Sequence, residues 1–151
     1  MADVLEVLTQ EKGAILDTSV EAVERSNLPH YADAGNETVR GYLETLFDLT
    51  TSCIDSRNLV PMIEHADRIA HHRFEAGFDI HEVQTAFNVL EETIWAHVIE
   101  AIAPRDLAQA IGLVSTVLGA GRDTLARTYV ELASKQHVQS LDLSALFRGG
   151  R

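Results

Sequence analysis

The sequence predicts an all-α fold, a single-domain bundle of about five helices. Three observations carry that expectation. Apolar residues recur at steps of three and four throughout the chain. Three prolines and nine glycines divide that periodicity into segments of helix length. No segment alternates with period two for long enough to form a strand. The 151 residues, 46 % hydrophobic and 23 % charged, suffice for one core that buries roughly 70 % of the unfolded surface. They leave no room for a second catalytic domain.

Taken in order, the first helix spans 3–26 and closes at Asn27, Leu28 and Pro29, with a polar loop over 30–35. Asn36 is placed to cap a second helix over 36–56. Its apolar positions Val39, Tyr42, Leu43, Leu46, Phe47, Leu49, Cys53 and Ile54 share one face. Asn58 caps a third helix, in which Pro61 falls in the first turn and removes no ladder bond, and Gly77 supplies the left-handed stop. Asp79 and Glu82 have capping-box spacing: Asp79 accepts from the Glu82 amide while Glu82 reaches back, with Phe78 and Val83 at the staple positions. A fourth helix therefore starts at Ile80 and runs to about Ile102. Pro104 opens a fifth, ending near His137, whose roughly 50 Å length exceeds what the core needs, so it bends or protrudes. Gly119, Ala120 and Gly121 mark where a bend or close helix contact is easiest. The helical domain is expected over 1–139. The remainder, 140–151, carries Leu141, Leu143, Leu146 and Phe147 and reads as a docked short helix or a linker.

Residues set 100° apart on each helix show which polar groups turn inward. On the third helix Arg73 projects inside the arc of Leu59, Met62, Ile63, Ala66, Ile69, Ala70 and Phe74. His71 and His72 project to the opposite side and diverge too far to chelate one ion. The fourth helix has two stripes: Val83, Ala86, Phe87, Leu90, Ile94 and Val98, then Trp95, Ile99 and Ile102. His97 falls inside the first stripe and Glu91 at its edge. Buried Arg73 and His97 need a bonded partner or a polar pocket. Two arrangements follow. Either Arg73 pairs with an acid such as Glu91, or Arg73, Phe74, Phe87, Trp95 and His97 line a small-ligand site. The long helix carries a seam at Leu107, Ile111, Val114, Leu118, Gly121, Leu125, Tyr129 and Leu132. The second stripe and the seam with its flank exceed one core's needs, which predicts a homodimer through Trp95, Ile99, Ile102, Leu113, Leu118, Leu125 and Val130.

Twelve basic against 23 acidic residues leave a formal charge of −11. That surface repels phosphate backbones and anionic lipid, so neither nucleic acid nor a membrane is an expected partner. The lone Cys53 permits no internal disulfide and suits a reducing compartment, and no apolar run approaches a membrane span, so a soluble cytoplasmic domain is expected. The spacings of a phosphate loop, a dinucleotide fold, a zinc-protease helix and a nucleophile elbow are all absent. No catalytic residue, metal site or cofactor is therefore nominated. The alternative is a haem or small-molecule carrier with His97 as axial ligand.

Three stretches carry a resemblance: HYADAG over 30–35, RIAHHRFEAGF over 68–78 and EVQTAFNVLEETIW over 82–95. From His30 to about Ala133, two thirds of the chain, the sequence resembles the N-terminal sensory domain of RsbRD-type co-antagonists, relatives of stressosome proteins. The resemblance implies an all-helical, dimeric input module of a bacterial stress-signalling pathway, non-enzymatic and working through a regulatory protein partner. It also implies a globin-like but haem-free fold. The output domain that usually follows lies outside these residues, so the chain reads as a stand-alone sensor or adaptor, or as a piece of a longer protein.

Overall fold

The computed structural model describes residues 3–140, and the 141–151 segment, with most of the expected tail, lies outside the described residues. Six α-helices and no strand are present among them: α1 (Val4–Arg25), α2 (Pro29–Ala34), α3 (Asn36–Ser56), α4 (Val60–Glu75), α5 (Ile80–Ala101) and α6 (Pro104–Ser140). The all-α expectation holds, with one helix more than the five expected. The addition is α2, where a polar loop was predicted. Pro29 at its start supplies a preset helical φ and lacks only an N–H that would have no ladder partner. Six residues are too few to show a period of their own.

The helix ends follow local chemistry. Asp3 caps α1, its side chain accepting from the Glu6 amide at 2.9 Å. Asn36 is not a cap but the first helical residue of α3; Gly35, at φ 88°, makes the turn before it, and the Asn36 side chain donates from Nδ2 to Glu24 Oε2. Asn58 caps α4 from one position further out, accepting from the Val60 amide at 3.1 Å. Gly77 takes its left-handed conformation, at φ 86°. The expected capping box does not form, although Asp79 still caps α5. Asp79 accepts from the His81 amide, and Glu82 does not reach back, because its carboxylate is engaged by α2.

Helix α5 is sandwiched between α1 and α6, while α6 also packs along α4, and α3 closes the bundle against α1. This is why α5 needs two apolar sides. Its first stripe, from Val83 to Val98, is buried as predicted. So is the α6 seam at Val114, Leu118, Leu125 and Tyr129. Close approach is set at Gly121: a Cβ there would lie 2.7 Å from Phe87 Cε2 and 3.0 Å from Met62 Sδ. Only glycine lets α6 sit this near α4 and α5. Beyond the core α6 runs on, with 133–138 exposed, so the long helix protrudes.

Candidate functional site

A cavity of about 210 Å³ opens between α3, α4 and α5, beneath α2. Each helix contributes one stripe: Tyr42, Leu43 and Leu46 from α3, His65, Ile69 and Arg73 from α4, Val83, Ala86 and Phe87 from α5, with Tyr31 above. The α4 set is spaced by four, one face of a helix. Exposed Thr45 stands at the rim.

Arg73 dominates this space. It is only 6 % exposed, and its guanidinium carbon lies 3.9 Å from the centre of the Tyr42 ring and 5.6 Å from that of Phe78. Cation–π stacking offsets part of the cost of desolvating the charge. Its Nη1 donates to His72 Nδ1 at 2.7 Å, so that nitrogen carries no proton. Its Nε is buried without a hydrogen-bond partner. Among the described residues no carboxylate forms an ion pair with it. The expected pairing with Glu91 is therefore corrected: Glu91 faces Arg122 of α6, with Oε1 and Nη1 at 3.1 Å. Glu91 lies about three turns beyond the α5 start at Ile80, where α6 rather than α4 presents a cation.

Tyr31 and His65 are both biased toward their neutral forms. Burial pushes the Tyr31 hydroxyl up to about 12, against the pull of Arg73. Burial also pushes His65 below its usual range, with Arg68 and Arg73 acting the same way. The cavity thus presents one fixed positive charge, no carboxylate, and walls that are mostly apolar.

Of the five nominated ligand residues, Arg73 and Phe87 line this cavity and the other three do not. Phe74 points to α6, edge-on to Tyr129 with ring centres 5.6 Å apart. Trp95 packs partly buried against the core, its Nε1 without a partner. His97, expected inward, is about a quarter exposed in a groove between α1 and α5, with Nδ1 3.6 Å from Glu11 Oε2. The α5 stripe is broad enough that its edge reaches the α1 border. Tyr31, Tyr42 and His65 were not nominated; the spacing of His65, Ile69 and Arg73 was the available signal.

The nominated dimer residues also divide. Ile102, Leu118 and Leu125 are buried in the chain's own core, because the α6 seam packs onto α4 and α5. Trp95 and Leu113 are partly buried, and Ile99 and Val130 are 54 % and 63 % exposed. Among the described residues no His, Cys, Asp and Glu group could hold a metal ion, and no helix is long and apolar enough to cross a membrane.

Neither a curated protein nor a solved structure matches the chain. A family model does, over residues 13–146, which takes in almost the whole bundle and the Arg73 cavity. The chain belongs to the family of the RsbT co-antagonist protein rsbRD N-terminal domain, a family of regulatory signalling domains.

Proposed function

We propose that this chain is a non-enzymatic sensory domain of a bacterial stress-signalling pathway, and that its signal is a small molecule entering the cavity beside Arg73 and Phe87. The observation that carries the reading is Arg73 itself. A buried guanidinium without a carboxylate is expensive for a fold to keep, and a structural role would normally supply a counter-charge. Here Arg73 lines a cavity, and among the described residues no acid pairs with it. Helix α4, which bears Arg73, packs along α6, and α6 leaves the bundle. That gives a continuous path from cavity to exposed helix, along which a regulatory protein partner would read the occupied state.

The domain works as a homodimer in the cytoplasm on this reading, a compartment that suits the single buried Cys53. Exposed Ile99 and Val130 supply apolar surface for a second copy. Light scattering at micromolar concentration should give a dimer mass, and a monomer mass removes this part. The sensory reading is tested by thermal melts of the full chain against a panel of small metabolites. At least one compound should raise the melting temperature with saturable dependence. No shift across the panel, with a loss of several kcal/mol of stability in Arg73→Ala, would return Arg73 to a purely structural role.

A further inference from the structure

We infer that the occupant of the Arg73 cavity is a small organic anion, a carboxylate carrying an aromatic or aliphatic body of about benzene size. This rests on the cavity being the sensory site, and adds the chemical class of what it takes.

The head group is set by Arg73. A guanidinium keeps its charge at every physiological pH. Tyr42 covers one face of its plane at 3.9 Å, but stacking uses the face while hydrogen bonds leave from the edge. The buried Nε on that edge has no partner. Arg73 lines the cavity and no acid of the lining balances it, so a ligand carboxylate supplies the missing counter-charge and accepts from the guanidinium. An uncharged ligand would leave the cation uncompensated, and a cationic one would be repelled.

The body is set by the walls. Leu43, Leu46, Ile69, Val83 and Phe87 offer only apolar surface, and the lining contains no acid. A cavity of about 150 Å³ holds a benzene ring, so about 210 Å³ accommodates a ring with a carboxylate attached. Nucleotides and other polyphosphates are too large for it. They are also repelled by a chain of net charge −11, which opposes a monoanion far less.

The test is calorimetric titration of the full chain with benzoate and with benzamide, its neutral isostere, alongside hexanoate and hexanamide. The carboxylate of each pair is expected to bind saturably, and about tenfold or more tighter than its amide. In Arg73→Met that preference should vanish. A reporter independent of any variant is the Arg73 Nε–H resonance of the wild-type chain, which should move with benzoate occupancy. Equal affinity for acid and amide overturns the anion assignment and leaves a sensory cavity of another class. Saturable benzoate binding with an unmoved Arg73 resonance likewise overturns it. Binding by neither pair, together with a metabolite panel that gives no melting shift, removes both the assignment and the sensory reading beneath it.

Discussion

Glu82 of α5 holds His30 of α2 by two hydrogen bonds, one from the backbone N–H at 3.1 Å and one from ring Nδ1 at 2.8 Å. The carboxylate is nearly fully buried, while the imidazole is partly exposed and stacks against Phe78 with ring centres 4.8 Å apart. An ionised carboxylate only accepts, so Nδ1 carries the proton. Through this contact α2 is fixed over the cavity, where Tyr31 forms part of the wall.

Loss of the acceptor should loosen that cover. Glu82→Ala removes two bonds and orphans a backbone N–H, for an expected cost of about 2–3 kcal/mol. Glu82→Gln keeps one accepting oxygen and should cost less than half as much. Urea unfolding midpoints measure both, and the His30 amide should exchange with solvent faster in the alanine variant. Equal stability of all three chains would mean that α2 is held by its apolar contacts alone.

Much of this architecture was legible because helix boundaries depend on neighbours in sequence. Pro61, Gly77, Asp79 and Pro104 act within one turn of where they stand, and the helices around them begin or end there. The inward turn of Arg73 was legible for the same reason, since the wheel fixes a direction relative to its own helix. What it meets was not. Tyr42 lies on another helix, and only packing brings its ring over the guanidinium. Glu82 shows the conflict sharply: local spacing assigns it to a capping box, but His30 offers two charge-assisted bonds from 52 residues away and wins. The placement of His97 was not legible because α1, which borders it, is no part of the periodicity of α5.

Arg122 and Glu91 form the ion pair that ties α6 to α5, with side chains 25 % and 8 % exposed. Removing the cation leaves a carboxylate buried and unpaired. Arg122→Met should therefore destabilise the fold by about 2–3 kcal/mol, below the range for fully buried pairs because water reaches the arginine. The double variant Glu91→Leu with Arg122→Met should recover most of that loss. A double-mutant cycle without coupling would show that the pair contributes nothing to stability.

Two glycines of α6 should respond oppositely to the same change. At Gly112 an added Cβ meets nothing within 4 Å, so Gly112→Ala should stabilise by about 0.5–1 kcal/mol through helix propensity alone. At Gly121 the Cβ would press on Phe87 Cε2 at 2.7 Å and on Met62 Sδ at 3.0 Å. Phe87 is fully buried, and any retreat from α6 disturbs its packing in the core. Overpacking of about 1–3 kcal/mol should outweigh the propensity gain and lower the melting temperature. Phe87 also lines the cavity, so Gly121→Ala should disturb ligand-induced stabilisation as well.

The last expectation concerns acid. Burial, Arg68 and Arg73 all oppose a proton on His65, so its folded value lies below the ordinary 6.5. Well above pH 6.5 neither the folded nor the unfolded ring is protonated, and His65 adds no pH dependence. As the pH falls through 6.5 the unfolded chain takes up a proton that the folded chain refuses. Stability contributed by the neutral ring is therefore present above 6.5 and is lost as pH falls toward the folded value. His65→Gln has no proton to take up in either state. The melting temperature of the wild-type chain, relative to the variant's, should fall as the pH drops from about 7.5 to about 5.5. Parallel curves for the two chains across that interval would mean that His65 is solvated enough to titrate alike in both states.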